Sequence, residues 1–264
     1  MIKRLSFLPL ILMLLLLPDP ATAESPEEMG LAIAREAEIR DEGFQDLTAD
    51  MRMVLKNRNG QESIRTIRIR TLEVDGDGDK SLSIFDEPRD VKGTAFLTHS
   101  HKRRDDDQWL YLPALKRVKR ISSRNKSGSF MGSEFSYEDI ASQEVEKYNY
   151  KWLRDEIYED QQCFVSEQYP VDRENSGYMR QVIWLDKARY QPLKIEYYDR
   201  KNALLKTLTV KHYQQYLGKF WRAGEMHMVN HQNGKTTALY WSRYQFRNGL
   251  TDDDFKNNSL KRAK

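Results

Sequence analysis

The histidines of this sequence include two closely spaced pairs that could bind a metal ion. His99 and His101 are separated by one residue, and His227 and His231 by three. Each pair could place two imidazoles on one side of a strand, but neither is accompanied by the Glu of a His-Glu-x-x-His motif or by an obvious third ligand. We therefore expect polar-face or turn histidines and no metal site.

One acidic stretch has the spacing of a calcium loop. Asp75, Asp77 and Asp79 would occupy the first, third and fifth ligand positions of an EF-hand, and Asp86 would occupy the last. The sixth position requires Gly for a sharp turn, whereas this chain has Lys80 there, and the flanking residues alternate like strands. These residues favour a turn between two strands.

No nucleophile of the chain is accompanied by residues that would activate it. Residues 128–133 read GSFMGS, which lacks both the Gly-x-Ser-x-Gly spacing and the strand-to-helix turn of a hydrolase. Cys163 is the single cysteine, so it cannot form an intramolecular disulfide, and no histidine-bearing signature marks it as a catalytic thiol. We expect a protein that is not an enzyme and that uses no cofactor.

The amino terminus has the three parts of a secretory signal peptide. Two cations precede an apolar run from Leu5 to Leu17, and the tripeptide ending at Ala23 fits the small-x-small pattern that signal peptidase cuts. The run is shorter than the roughly 20 residues of a membrane-spanning helix, and Pro-Asp-Pro follows it. We expect residues 1–23 to be removed and residues 24–264 to form one exported domain.

The charge of the mature chain limits its partners. The formal net charge of +3 falls to +2 when residues 1–23, with their net +1, are removed. The mature chain is therefore not a polycation, and export separates it from nucleic acid, which we exclude as a partner. Any basic surface must be local. One such stretch contains Lys116, Arg117, Lys119, Arg120, Arg124 and Lys126.

The remaining sequence is organised mainly as strands. Ser25, Pro26 and Glu28 form a capping box that begins a helix, and Gly43 can end it. From Thr48 onward apolar and polar residues alternate, and Asn-Gly and Asp-Gly pairs separate the runs. About ten strands and two or three helices predict a mainly β (α+β) fold, a strongly curved antiparallel sheet or incomplete barrel covered by a few helices. Two stacked sheets are the alternative.

A curved sheet with few helices to fill it could enclose an apolar cavity that binds lipid. Methionines at the mouth of that cavity would suit flexible apolar guests. An ordinary hydrophobic core is the alternative for each residue of the wall. The residues on the candidate inward faces are Met51, Met53, Leu55, Ile67, Ile69, Leu82, Ile84, Phe96, Trp109, Tyr111, Ile183, Leu193 and Ile195.

Residues 110–140 carry the most specific motif of the chain. Its pieces are Leu112-Pro113-Ala114, the basic run from Arg117 to Ile121, the GSFMGS loop and Tyr137-Glu138-Asp139. This motif resembles the LolA-like family of outer-membrane lipoprotein-sorting proteins, in the branch that accompanies RND/MMPL-type exporters. The signal peptide and the first helix extend the resemblance, more loosely, over most of the mature chain.

The resemblance implies an unclosed antiparallel β-barrel with helices as a lid and an apolar interior that shields acyl chains. The protein would be a soluble shuttle in the periplasm of a Gram-negative bacterium, carrying lipid or lipoprotein between the inner and outer membranes. The family's functional arginine would be Arg65, Arg68 or Arg70.

The resemblance also leaves a second function open, namely a periplasmic accessory protein that docks on an inner-membrane RND/MMPL-type exporter and carries no cargo. Under either function the six cations would form a rim in transient contact with the membrane surface, facing anionic headgroups or an acidic patch of a membrane partner. A solvated end of a strand is the simpler interpretation of the same cations.

Overall fold

The computed structural model describes residues 24–262, so the predicted signal peptide lies outside the described residues. Within that part of the chain there are three α-helices and fifteen strands. The helices are α1 (Pro26–Asp41), α2 (Tyr137–Ile140) and α3 (Asn257–Arg262). The strands are β1 (Asp46–Lys56), β2 (Glu62–Leu72), β3 (Lys80–Glu87), β4 (Ala95–His99), β5 (Asp107–Leu112), β6 (Arg117–Ile121), β7 (Tyr148–Tyr158), β8 (Gln161–Pro170), β9 (Tyr178–Asp186), β10 (Pro192–Asp199), β11 (Leu204–Lys211), β12 (Gln214–Tyr216), β13 (Phe220–Arg222), β14 (Glu225–Asn230) and β15 (Thr236–Phe246).

Thirteen of these strands form one antiparallel sheet in the order β6-β5-β4-β3-β2-β1-β15-β14-β11-β10-β9-β8-β7, and β12 pairs only with β13. The sheet begins at β6 and ends at β7 and does not close into a barrel, which confirms the predicted mainly β fold. A sandwich of two large sheets is excluded. Among residues 24–262, no helix combines the length and apolarity needed to cross a membrane.

The register of the strands defines two faces of the sheet. Met51 lies opposite Ile67 of β2 and Trp241 of β15, and Ile67 lies opposite Phe85 of β3. Because side chains of directly opposed residues point to the same side of a sheet, these four share one face, called here the inner face. Phe96, opposite Ser83, belongs to it as well.

Four residues predicted to face inward lie on the other, outer face. Ile84 is opposite Arg68 rather than Ile67, which turns it outward together with Leu82. All four pack in a separate cluster with Phe255 and with Leu260 of α3. The expectation of one common face is wrong here because β3 is apolar on both sides, so alternation alone cannot say which side faces inward. The outward residues are Leu82, Ile84, Trp109 and Tyr111.

Residues 122–147, called here the covering segment, lie against the inner face. Phe130 of the GSFMGS motif is fully buried, and its ring centroid lies 5.1 Å from that of Phe96 and 6.0 Å from that of Phe85. Phe135 of the same segment belongs to this core cluster. The motif therefore supplies side chains to the core of the curved sheet.

A buried ion pair holds the covering segment to the sheet. Lys206 Nζ of β11 lies 2.6 Å from an Asp139 carboxylate oxygen, and each side chain is 4% exposed. Lys206 also donates to the carbonyl oxygen of Glu134 at 2.9 Å, and the Tyr178 hydroxyl donates to Asp139 at 2.8 Å. The Tyr-Glu-Asp motif is thus fixed by charge as well as by apolar packing.

Helix α1 covers another part of the inner face. Its capping box is formed by Ser25 and Glu28, as predicted. Gly30 is buried against β7, and a Cβ atom there would lie 2.7 Å from the backbone nitrogen of Trp152. Glycine is therefore needed at this helix position, because any side chain would push α1 away from the sheet.

We expect Lys206→Met to lower the free energy of unfolding by about 3–5 kcal/mol, because it leaves the Asp139 carboxylate buried without its cation. Lys211→Met is the matched control on the same strand. Lys211 pairs with Glu159 at 3.1 Å with both side chains about half exposed, so its loss should have little effect on stability. Urea unfolding followed by circular dichroism measures both, and equal losses would contradict a structural role for the buried pair.

Candidate functional site

A cavity of about 1090 Å³ lies between α1 and the inner face of the sheet at β8, β9 and β10. Helix α1 contributes Ile33, Ala34 and Ala37 to its wall, and β9 contributes Ile183 and Leu185. These side chains carry no hydrogen-bonding groups. The cavity is therefore suited to an aliphatic chain.

The strand side of the cavity also carries polar groups. Ser166 and Gln168 of β8 line it, and the Gln168 amide donates to Gln181 at 2.8 Å. Ser166 is 9% exposed, and its hydroxyl has no hydrogen-bond partner within residues 24–262. That oxygen has almost no accessible surface, so it is an unsatisfied polar group within the wall and does not face the cavity.

The rim of the cavity is strongly acidic. Its carboxylates come from the end of α1, from the loop between β2 and β3, and from the covering segment. Only two lysines, Lys102 and Lys219, stand among them in the lining. The acidic residues of the lining are Glu38, Asp41, Glu42, Glu73, Asp75, Asp77, Asp79 and Glu144.

Two of these acids, Glu73 and Asp77, accept hydrogen bonds from backbone N–H groups. Both Glu73 carboxylate oxygens accept backbone N–H groups, those of Gly43 and Gln45, at 2.6 Å. Asp77 accepts from His101 Nδ1 at 2.6 Å and from the backbone N–H of Lys102 at 2.9 Å. Burial acts against the charge of Asp77, but these hydrogen bonds outweigh it and lower its pKa to about 2.

Asp41 is compensated by Arg222, whose Nη1 lies 2.5 Å from its carboxylate. Asp79 and Glu144 differ, because neither has an ion-pair partner within 4 Å among residues 24–262. Burial, and next the neighbouring Glu144, raise the pKa of Asp79 to about 7. Burial also raises the pKa of Glu144. Negative charge is therefore crowded at this part of the rim.

Of the thirteen residues predicted to bind lipid, Ile183 lines this cavity. Five others are buried beneath the covering segment, and Leu55 and Ile195 pack beside them. Leu193 belongs to a further cluster around Trp184. Contact of these residues with lipid stays a prediction. The five buried residues are Met51, Met53, Ile67, Ile69 and Phe96.

Sequence reasoning missed the wall that α1 contributes and the acidic rim. The signal for the wall was present, since α1 repeats Ile and Ala at helical spacing and such an apolar face must be covered. The rim comes from three separate parts of the chain that only the fold brings together, so no local pattern could reveal it.

The predicted basic rim lies elsewhere, mainly on the edge strand β6. None of its six residues lines the cavity, and Lys126 lies beside a smaller groove of about 190 Å³. Arg120 pairs with Asp107 at 2.5 Å, and Lys126 pairs with Asp172 at 2.6 Å. Apart from Lys126, these cations are exposed: Lys116, Arg117, Lys119, Arg120 and Arg124.

The three arginines considered for the family's functional position point to different faces. Arg65 is opposite Met53 on the inner face and donates to the carbonyl oxygen of Met131 in the covering segment. Arg68 lies on the outer face and donates two hydrogen bonds to Asp86, at 2.7 and 2.8 Å. Arg70 is opposite the outward Leu82. Arg65 thus joins the inner face of β2 to the covering segment.

The histidines have roles within the fold. His99 Nε2 lies 2.8 Å from the Phe255 carbonyl oxygen, and His231 Nε2 lies 2.8 Å from the Thr207 hydroxyl. Within the described residues, no group of three or more His, Cys, Asp or Glu side chains could hold a metal ion. The stretch that resembled a calcium loop is a turn followed by β3.

Known proteins place this chain in a family. The sequence model of a family described as "Uncharacterized protein" matches residues 77–262. The structure of an outer membrane lipoprotein-sorting protein domain from Vibrio parahaemolyticus is 61% identical, with a TM-score of 0.87 over 89% of this chain and 99% of that one. The chain therefore belongs to the LolA-like family of outer-membrane lipoprotein-sorting proteins.

Two further solved structures share this fold. A DUF1329 family protein from Desulfovibrio piger is 32% identical, with a TM-score of 0.85 over 89% of this chain and 99% of that one. A LolA superfamily protein from Nitrosomonas europaea is 21% identical, with a TM-score of 0.70 over 87% of this chain and 98% of that one, and shows the shared fold. No curated protein matches the chain.

The crowded carboxylates predict a pH dependence of stability. The pKa of Asp79, about 7 in the folded protein, exceeds its usual value of 3.8. Below the usual value both folded and unfolded chains are protonated there. Between about pH 4 and pH 7 only the unfolded chain is ionised, so the stability of the fold decreases over this range and stays lower above it. Asp79→Asn should therefore raise the midpoint of thermal unfolding above about pH 7, and the gain should vanish near pH 4.

Asp77→Asn is the contrasting control, because the folded-state pKa of Asp77 is lowered to about 2. Its charge stabilises the fold above the usual pKa, and that contribution is lost as the pH falls through the folded value. The asparagine variant should therefore be less stable than the parent at neutral pH. Thermal unfolding of both variants across the pH range measures the two effects, and shifts of the same sign at pH 8 would refute this account.

Proposed function

We propose that the protein is a non-enzymatic periplasmic carrier that holds acyl chains of lipid or lipoprotein in the cavity under α1 and shuttles them between the inner and outer membranes. The observation that carries the proposal is the cavity itself. Its volume of about 1090 Å³ slightly exceeds the roughly 300–1,000 Å³ of typical ligand pockets. Family membership and the predicted export signal support it.

The energetics of the cavity agree with a carrier. Transfer of an acyl chain from water to an apolar wall gains about 0.8 kcal/mol for each buried CH₂ group. The wall formed by Ile33, Ala37, Ile183 and Leu185 offers such surface. A chain held there would be shielded from water by α1 during transit.

The proposal extends to the inner face beneath the covering segment. Met51, Met53 and Ile67 are buried there in one core cluster with Phe130 and Phe135. Displacement of the segment would expose this apolar surface and enlarge the cavity. Arg65, through its hydrogen bond to the Met131 carbonyl, holds the segment in place.

A bulky residue on α1 tests the carrier function. Ala37→Trp should fill the cavity and weaken binding of a fluorescent fatty-acid probe at least about tenfold, since it removes the space that the chain occupies. Ala32→Trp is the matched control, because Ala32 lies on the same helix but is exposed and outside the lining. Probe titration measures both variants. Unchanged binding in a folded Ala37→Trp protein would rule out this cavity as the site.

A second candidate function is an accessory protein of an RND/MMPL-type exporter that docks without moving cargo. The exposed cations of β6 favour it, because β6 is an edge strand with one side unpaired within residues 24–262. Charged residues also protect edge strands from aggregation, which is the simpler role of Arg117 and Lys119. Docking through this strand would involve the membrane surface or an acidic partner.

Charge reversal separates docking from simple edge protection. Arg117, Lys119 and Arg120 changed together to Glu should weaken binding to vesicles containing anionic lipid at least about a hundredfold at low salt, since each cation contributes about 1 kcal/mol near such a surface. The effect should shrink at high salt.

The control for this reversal changes three exposed turn cations, Arg58, Lys201 and Lys235, to Glu. It alters the net charge equally and leaves β6 intact. Vesicle co-sedimentation measures binding, and retention of a pre-loaded fatty-acid probe shows whether the cavity is affected. If both triple variants bind vesicles equally well, β6 is not a docking surface.

A further inference from the structure

The hairpin formed by β12 and β13 ends in a tight turn that projects from the protein. The turn runs from Tyr216 to Lys219, and the Lys219 N–H donates to the Tyr216 carbonyl oxygen at 3.0 Å. Leaving aside its two chain neighbours, a Cβ atom on Gly218 would meet no atom of residues 24–262 within 4 Å. Open space therefore surrounds the tip of the hairpin.

Leu217, at this tip, is unfavourable for the fold in two respects. Its φ is 51° and that of Gly218 is 69°, so the turn has two left-handed residues, a geometry in which Asn normally precedes the Gly. Leucine tolerates this conformation less well than Asn. Its side chain is also 55% exposed, which leaves apolar surface in water.

The chain has the more favourable pair elsewhere. Asn-Gly stands at residues 59–60 and 233–234, in the turns between β1 and β2 and between β14 and β15. Met131, another aliphatic residue with a positive φ, is packed against the core. Because neither its backbone nor its burial explains Leu217, this leucine indicates a contact outside the fold.

The base of the hairpin is anchored by aromatic packing. Phe220 is buried, and its ring centroid lies 5.8 Å from that of Phe246 and 6.3 Å from that of Phe44. The Tyr216 ring centroid lies 5.4 Å from that of Phe246. Leu217 therefore projects from a packed base, which gives the tip a defined position.

This position is the end of the cavity where α1 ends. Arg222 of β13 pairs with Asp41 at 2.5 Å, and Lys219 donates to the carbonyl oxygen of Glu42. Asp41, Glu42 and Lys219 all line the cavity. The exposed leucine is thus two residues from the cavity wall.

The side chains at the tip suit the interface of a lipid bilayer. An aliphatic residue, Leu217, is flanked by the half-buried Tyr216 and by the exposed Lys219. At a bilayer interface aromatic rings lie at the level of the headgroups, and lysine keeps its charge in water above an apolar stem. The acidic rim beside the hairpin would be repelled by anionic headgroups, so the surface that fits this tip is zwitterionic.

We propose that the β12–β13 tip inserts Leu217 into the surface of a zwitterionic bilayer and so places the end of the cavity at the membrane, where acyl chains enter or leave it. This inference rests on the proposed function, because loading from a membrane has meaning only for a carrier. It is separate from docking through β6, which depends on cations and on anionic lipid.

A fluorescent label at the tip tests insertion directly. The mature protein carrying Leu217→Cys is labelled with a thiol-reactive nitrobenzoxadiazole dye, and Cys163 is fully buried, so the label goes to the introduced thiol. Addition of phosphatidylcholine vesicles should raise the emission at least about twofold and shift it to shorter wavelength. The same label on Ile157→Cys is the control, because Ile157 is 63% exposed on β7 and lies outside the cavity lining. Its emission should stay unchanged.

Substitution of the leucine separates a membrane role from a structural one. Leu217→Asn should weaken co-sedimentation with phosphatidylcholine vesicles at least about fivefold, because the apolar side chain is lost. Transfer of a pre-loaded fatty-acid probe to these vesicles should slow accordingly. The midpoint of thermal unfolding should be unchanged or higher, because Asn suits the turn better. Leu217→Met keeps an apolar tip and should bind like the parent, and Ile157→Asn should leave vesicle binding unchanged.

The outcomes distinguish this inference from the proposed function. Equal responses of the labels at positions 217 and 157, or transfer unaffected by Leu217→Asn, would overturn insertion and leave the carrier function standing while the fatty-acid probe still binds. A response of the tip label to protein concentration without vesicles would assign the tip to a second copy of the chain and overturn the bilayer contact. Insertion by a protein that binds no fatty-acid probe would remove the carrier function, and the loading role with it.

Discussion

The buried ion pair between Lys206 and Asp139 determines how the space inside the curved sheet is divided. Neither charge could be buried alone without a penalty of several kcal/mol, so each requires the other. Asp139 lies in the covering segment and Lys206 on β11, which means that the segment must enter the sheet for the pair to form. The aromatic rings of Phe130 and Phe135 enter with it. A polar contact thus fixes the position of an apolar core.

This placement leaves one half of the inner face filled and the other half open. The filled half lies under the covering segment, whereas the open half lies under α1, where Gly30 brings the helix close to β7. The same segment links the two ends of the sheet, because Lys126 pairs with Asp172 after β8, and Lys147 pairs with Asp106 before β5. The sheet therefore does not close into a barrel, but ion pairs of the covering segment connect the regions near its two edges.

The sequence was sufficient for the fold class but not for the site. Period-two alternation and turn dipeptides are local, and they predict a large antiparallel sheet directly. The side of β3 that faces inward is not determined by its own sequence. Ile84 and Phe85 are both apolar, and only pairing with β2 decides which of them faces inward. Phe130 of the GSFMGS loop is fully buried. Its partners lie on distant strands, which no window of sequence contains.

The separation of charge on this protein constrains how it can approach a membrane. The groove beside Lys126 shares Lys102, Ser142 and Gln143 with the lining of the cavity, so the basic edge and the acidic rim are neighbours. Screening at physiological salt extends over about 8 Å, and an anionic surface would attract β6 while repelling the rim. The orientation that satisfies both turns β6 toward the membrane and keeps the rim away from anionic headgroups.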